Sequence, residues 1–394
     1  MILVLADDIT GAAEIAGTAL RYGMTTSLIT GVAGKNFPDT EVVVYATDVR
    51  SMSHDKACEE TKRICEDIKR KGFAANDADK ITIFKKTDSV LRGHIASELS
   101  IIMEQLGCNS SLLLPQNPSK GRIIRKGEYF INEERLSDTM FRKDPEFPAT
   151  STDPIRLIHE HSGKVTANCR ILHVEGSLHD YGKGEIFVAE AASEDDIIRQ
   201  IDKSNKDMLL AGGADLFETF IRHKLKRGKE KERKRHEISI REGEEKILVV
   251  SGSTQGKSIM QTGMMKRLHA QEATMPESVF EGASPKGWIE EIRKRYLLTY
   301  ALIIRIGNHE FKGSEYAIRL RDVMGEATKE LINTSMPRYL IIEGGATAFS
   351  ILSHIKWTEF EITHEFSPGA VGMRHGETEI ILKPGSYPWG NMFM

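Results

Sequence analysis

The chain has 394 residues, too many for one ordinary hydrophobic core, so two α/β domains are expected. Apolar residues make up 40% and charged residues 28%, a soluble globular composition, and a formal net charge of -3 gives no overall electrostatic reason to expect nucleic acid. No run approaches the ~18 uninterrupted apolar residues of a membrane span, and the apolar start lacks a basic flank before Asp7-Asp8, so no membrane partner and a cytoplasmic location are expected.

In chain order, short β-rich runs alternate with helical stretches. Residues 2–6 read as a strand and 10–22 as a helix closed by Gly23. Strands follow at 25–29 and 41–46, then a polar helix from 53 to about 71 and a strand at 81–86. The next helix sets Ile95, Leu99, Ile102 and Leu106 on one face and stops at Gly107, before a buried strand at 111–114. From about 115 to 154 the rhythm gives way to a stretch rich in Gly, Pro, Asn, Arg and Lys, an irregular insertion of the kind that is usually functional or disordered. The pattern resumes with strands at 170–174 and 208–211 and a helix near 214–225.

A basic run over 224–235 is interrupted by Glu230 and Glu232 and holds no aromatic residue, which fits a solvated linker better than a nucleic-acid patch. Beyond it come a strand at 247–250, a helix at 255–269, a strand at 298–306, a long helix at 314–333, a strand at 339–342, a helix from about 347 and a strand at 379–382. The expected fold class is α/β, with two domains at 1–228 and 236–394, each a mostly parallel sheet flanked by helices.

Cys58, Cys65, Cys108 and Cys169 lack metal-type spacing and read as reduced structural thiols. The histidines show no H-E-x-x-H pattern, and neither G-x-S-x-G nor a G-x-G-x-x-G after a strand occurs, which counts against zinc, serine-hydrolase and dinucleotide chemistry.

The chemistry-bearing residues sit where strands end. Ala6-Asp7-Asp8-Ile9-Thr10-Gly11 joins the first strand to the first helix, where open α/β sheets place their ligands. Thr10 can cap the helix, and two further carboxylates exceed what capping needs; one of them can accept from substrate hydroxyls or orient a hydroxyl for attack. Lys86-Thr87-Asp88-Ser89-Val90-Leu91-Arg92-Gly93 follows another strand. Its mixture suits a polyhydroxylated anion, with Arg92 gripping a carboxylate through parallel N–H bonds and Asp88 and Ser89 addressing hydroxyls. Pro115-Gln116-Asn117-Pro118-Ser119-Lys120-Gly121-Arg122 follows a third strand and is weaker by itself.

In the second half, Ser251-Gly252-Ser253-Thr254-Gln255-Gly256-Lys257 has three residues between its glycines where a P-loop needs four. A Gly/Ser turn opening a helix can still hold phosphate through backbone N–H groups. Glu343-Gly344-Gly345-Ala346-Thr347 has the same logic, and Pro368–Gly372 and Lys383-Pro384-Gly385-Ser386 add two more glycine turns.

These segments, in this order and across nearly the whole chain, resemble the four-carbon acid sugar kinase family. The resemblance rests on Ala6–Ala12, Lys86–Ile95, Pro115–Arg122, Gly127 with Tyr129 and Asp144-Pro145, Gly252-Ser253 with Gln261, Gly344–Thr347 and Lys383–Gly385. Ala346 stands where members often carry a polar residue. The resemblance implies an N-terminal sugar-acid domain, a C-terminal nucleotide domain, and ATP-dependent phosphorylation of threonate, erythronate or a 3-oxo-tetronate with Mg²⁺. On that expectation Asp8, Asp88 and Arg92 are catalytic, with Asp8 orienting the attacking hydroxyl and Asp88 fixing the substrate's hydroxyls, and Asp7, Thr10, Lys86, Ser89, Arg92 and Gly93 hold the acid. Ser253, Gly344, Gly345, Ala346, Thr347 and Gly385 hold ATP. The expected partners are the sugar acid and ATP, with homo-oligomer formation open. A sugar-acid sensor without catalysis and an NAD-dependent dehydrogenase are the competing readings.

Overall fold

Five-residue runs rich in β-branched and aliphatic side chains, such as residues 2–6, 42–46 and 110–114, are fully buried and pair in parallel. A computed structural model describes residues 1–32, 34–73, 81–144, 146–163, 167–178, 182–228, 245–252, 269–307 and 314–383. The chain separates into two compact units, Met1–Lys229 and Glu230–Met394.

The first unit runs β1 (Ile2–Ala6), α1 (Ile9–Arg21), β2 (Thr26–Thr30), β3 (Val42–Ala46), α2 (His54–Arg70), β4 (Thr82–Lys86), α3 (Ile95–Leu106) and β5 (Ser110–Leu114). It continues through β6 (Arg122–Arg125), β7 (Glu128–Ile131), β8 (Glu134–Arg135), α4 (Pro154–His161), β9 (Asn168–Leu172), β10 (Glu185–Ala189), α5 (Glu194–Lys203), β11 (Met208–Gly212) and α6 (Ala214–His223). Its large sheet has the order β2-β3-β1-β4-β11-β5-β10-β9, parallel throughout. The predicted face of α3 is the one that packs: Ile95, Leu99, Ile102 and Leu106 are all buried in one core with Leu5, Tyr45 and Ile83 of the sheet. Burial of each such side chain contributes about 1.5–3 kcal/mol.

The second unit comprises β12 (Ile247–Ser251), β13 (Gln271–Thr274), α7 (Glu277–Phe280), α8 (Lys286–Leu298), β14 (Ala301–Arg305), α9 (Ser314–Thr334), β15 (Tyr339–Glu343), α10 (Gly345–Ile355), β16 (Glu359–Ser367), β17 (Ala370–His375) and β18 (Thr378–Lys383). Its strands are ordered β13-β14-β12-β15-β18-β17-β16, parallel from β13 to β18 and antiparallel at β17 and β16.

Several expectations change in detail. The stretch 115–154 is not wholly irregular, because β6, β7 and β8 form a small antiparallel sheet. Its strands are too short to show a period, and both connecting pairs, Lys126-Gly127 and Asn132-Glu133, have positive φ as primed hairpin turns require. Pro368-Gly369 closes the hairpin between β16 and β17, so this glycine turn has a structural role. The strand expected from 298 begins at Ala301, since Leu297 and Leu298 are exposed at the end of α8. The helix expected at 255–269 and most of the basic run fall outside the described residues. No helix among the described residues is long and apolar enough to cross a membrane, and all four cysteines are free thiols.

Candidate active site

Strands β3, β1 and β4 lie side by side in register, with Ala6 opposite both Ala46 and Lys86, so the turns that follow them meet at one edge of the sheet. The chain leaves β1 through α1 toward β2 on one side and leaves β4 through α3 toward β5 on the other. Between two strands whose connections diverge in this way, an α/β sheet opens a crevice for ligands. Asp7 and Asp8 come from the first turn, Arg50 from the 3₁₀ turn Val49–Ser51 after β3, and the loop from Thr87 to Gly93 from the end of β4.

Arg50 joins these turns. Its Nε and Nη2 both lie 2.7 Å from Asp7 Oδ2, while Nη1 donates to Asp8 Oδ2 at 2.9 Å and lies 3.6 Å from Asp88 Oδ1. Burial disfavours the guanidinium charge, but the three carboxylates outweigh it and hold the Arg50 pKa well above its usual value.

The three carboxylates are not equivalent. The Asp7 side chain is 2% exposed and its Oδ1 has no hydrogen-bond partner among the described residues. That of Asp8 is 21% exposed, which makes it the carboxylate that a ligand in the crevice can reach. Asp8 also caps α1, accepting from the Gly11 N–H at 2.8 Å; Thr10, expected as the cap, stands half-buried in the first turn instead. Burial pushes the Asp8 carboxyl above its ordinary value, Arg50 opposes this in part, and the Asp7 charge pushes it up further.

Asp88 goes the other way. Burial acts to raise it, but Arg50 and Arg92 hold its carboxyl far below the usual carboxylate range. It accepts from the Val90 and Arg92 N–H groups at 3.1 and 3.2 Å, and from Arg92 Nε and Nη2 at 3.1 and 2.8 Å. The loop thus wraps around an anion. Its chain turns through Leu91 at φ +66° and Gly93 at φ +96°, and the bare face of Gly93 looks onto Arg50 and Asp7. Arg92 Nη1 lies 3.4 Å from Asp144 Oδ2, so the guanidinium expected to grip a carboxylate is paired within the protein to Asp88 and Asp144.

Lys86 is buried, donates to the Thr87 carbonyl at 2.9 Å and lies 3.6 Å from Glu14 Oε2. Lys120 reaches Glu14 Oε1 at 2.6 Å. Burial would raise Glu14, but the two ammonium groups outweigh it and hold its carboxyl below the ordinary range. Ser89 accepts from Arg122 Nη1 through its hydroxyl and from the Tyr129 hydroxyl through its carbonyl. The segment from Pro115 to Arg122, weak on its own, is therefore tied to the loop after β4 and to α1. Arg50 and Glu14 were absent from the sequence reading; the signal for Arg50 was its place four residues past the end of a third strand.

In the second unit, β12, β15 and β18 also end in register, with Ser251 opposite Glu343 and Glu343 opposite Lys383. Buried Glu343 accepts from Ser251 Oγ at 2.8 Å and pairs with buried Lys383 at 2.9 Å. Gly344, at φ +108°, is the N-cap of α10 and supplies no side-chain bond to it. Gly345 is half-buried, Ala346 exposed and Thr347 buried in the first turn that follows. The Gly252 N–H donates to the Glu343 carbonyl, and a Cβ on Gly252 would lie 1.8 Å from Thr347 Oγ1. Ser253 and Gly385 lie outside the described residues.

Residues 2–220 match the family model described as a sugar-binding N-terminal domain. A 3-oxo-tetronate kinase of Brucella melitensis is 23% identical over a 418-residue alignment covering 98% of this chain and 92% of that protein. A 3-oxo-tetronate kinase of Pectobacterium atrosepticum is 28% identical over 160 residues, 40% of this chain and 37% of the relative's length. The crystal structure of Haemophilus influenzae protein HI1011 shares the fold at a TM-score of 0.71 and 18% identity, with 99% of this chain and 98% of that one covered. With the family model matching more than half of its length, the chain belongs to the four-carbon acid sugar kinase family, a family of small-molecule phosphotransferases.

Proposed function

We propose that this protein transfers the γ-phosphoryl group of ATP to a hydroxyl of a four-carbon sugar acid, D-threonate, D-erythronate or a 3-oxo-tetronate. The first unit binds the acid at the ends of β1, β3 and β4, and the second binds the nucleotide at the ends of β12, β15 and β18. The observation that carries this reading is the gathering of Asp7, Asp8 and Asp88 on Arg50, with the most accessible of the three also raised by burial. A carboxyl in that state is suited to general-base work, because its affinity for a proton is moved toward the operating pH.

Asp8 accepts the proton of the attacking hydroxyl. Asp7 acts through Arg50, whose guanidinium it anchors, and Asp88 stays ionised to shape the loop carrying Ser89 and Gly93. Lys86 sits behind Asp8 and, with Lys120, balances the charge of Glu14. For the nucleotide, the supporting features are backbone ones. Gly344 leaves the first N–H groups of α10 without a side-chain partner, and Gly252 approaches Thr347 more closely than any side chain allows. An anionic phosphate fits such a helix start. Mg²⁺ bound with the nucleotide would supply charge neutralisation of the transferring phosphoryl group.

The test is ADP release by the purified protein with ATP and Mg²⁺ across C4 to C6 sugar acids. One clear four-carbon preference is expected; no release with any acid would overturn the reading. The nucleotide assignment has its own check. Gly252→Ala forces a Cβ into Thr347, so ATP affinity should fall about tenfold or more while the affinity for the sugar acid, measured without nucleotide, stays within about twofold.

A further inference from the structure

Three arginines reach the first unit's site, and they differ in what balances their charge. Arg50 is paired with Asp7 and Asp8, and Arg92 with Asp88 and Asp144. Arg122 has no carboxylate within ion-pair distance among the described residues. Its guanidinium donates to the Ser89 hydroxyl and lies 5.7 Å from the centroid of the Phe141 ring, which Arg92 also approaches at 5.8 Å. Arg122 is half-buried, and its backbone is fixed by donation to the Asn117 carbonyl at 3.1 Å. A partly desolvated guanidinium with one of its five donors on a hydroxyl, and no anion beside it, is prepared for an anion from outside the protein.

The choice of partner follows from geometry and from Ser89. A guanidinium matches a carboxylate through two parallel N–H bonds. The Ser89 oxygen accepts from Arg122, which leaves the hydroxyl's own proton to donate to the same carboxylate or to the oxygen on the adjacent carbon. Resting on the kinase reading, the geometry points to Arg122, rather than Arg92, as the receptor for the acceptor's carboxylate, with Ser89 beside it, so that the site takes 2-hydroxy acids and rejects uncharged polyols of the same length. Arg92 keeps its place as the clamp on Asp88 that holds Ser89 in position.

Equilibrium titration of D-threonate, D-erythronate and erythritol into wild type, Arg122→Lys and Arg122→Met tests this without requiring turnover. Wild type should bind one of the acids about 100-fold or more tightly than erythritol. Arg122→Met should lose about 100-fold in acid affinity and with it the preference for acid over polyol. Arg122→Lys, which keeps the charge but not the fork, should fall between them, and its melting curve checks that the fold survives. In turnover, the Met variant's loss should appear in KM far more than in kcat. A Met variant that still prefers the acid, or a wild type that does not distinguish acid from erythritol, would overturn the assignment. An acid that binds selectively but is never phosphorylated would sink the kinase reading instead, and Arg122 would still be judged by the same affinity ratio.

Discussion

Asp8→Asn should lower kcat for sugar-acid phosphorylation by about 10²–10⁴-fold and leave the KM for ATP within a few-fold of wild type. The substitution keeps the shape of the side chain, and asparagine caps helices as well as aspartate does, so the bond to the Gly11 N–H and the start of α1 are preserved. What is lost is the ability to take a proton, together with the charged bond from Arg50 Nη1 to the second oxygen. The pH profile gives an independent reading of the same group. Burial, with the Asp7 charge, raises the Asp8 carboxyl above the ordinary aspartate value despite Arg50. A base must be deprotonated to act, so kcat/KM for the acid should fall as pH decreases, with the acidic limb lying above the ~3.9 of a free aspartate. A coupled ADP-release assay across pH measures both. A variant with near-normal kcat, or a limb at the unperturbed position, would assign the base to another group.

The parts of this site that were legible in the sequence are those in which polar residues cluster directly after an apolar strand. Asp7-Asp8 after residues 2–6, and the Lys86–Gly93 loop after 82–86, both announce themselves in that way. Arg50 did not, because it stands alone in a 3₁₀ turn and its meaning depends on register. Only when Ala46, Ala6 and Lys86 are aligned across β3, β1 and β4 does the arginine come within reach of carboxylates more than 35 residues away on either side. The internal pairing of Arg92 was hidden for a related reason. A sequence shows that an arginine and an aspartate are four residues apart, but not that the loop folds back so that one neutralises the other. In the second unit the hairpin at Pro368-Gly369 was read as one more glycine turn, since its flanking strands lack strict alternation: His364, Glu365 and Phe366 are all half-buried, and the pairing shifts register beside His364 and Ser367.

Arg50→Met should be the most destabilising single change at the site. It removes the arginine that pairs with Asp7 and Asp8, while Asp88 keeps Arg92; breaking such a buried pair costs about 3–5 kcal/mol. For a unit of this size that corresponds to a fall in melting temperature of roughly 6–20 °C at neutral pH. Arg50→Lys should recover part of the loss, because an ammonium can neutralise one carboxylate closely but cannot reproduce the contacts that Nε, Nη1 and Nη2 make together. The pH dependence separates this cause from a simple packing defect. In wild type, Arg50 is the foremost charge holding Asp88 below the usual carboxylate range, so the stability Asp88 contributes is present above the ordinary aspartate pKa and lost as pH falls toward its own lower value. Without Arg50, burial and the Asp7 charge act on Asp8 without their main opponent, and that carboxyl takes up a proton more readily folded than unfolded. The native state then binds more protons than the denatured state, and stability decreases as pH rises. The deficit relative to wild type should therefore be greatest near neutral pH and shrink on acidification. Thermal melts of wild type and Arg50→Met between about pH 4 and 8 would show the two curves converging at the acid end. Parallel curves would mean that Arg50 supports the fold by packing alone, and that its charge is not what holds the three carboxylates together.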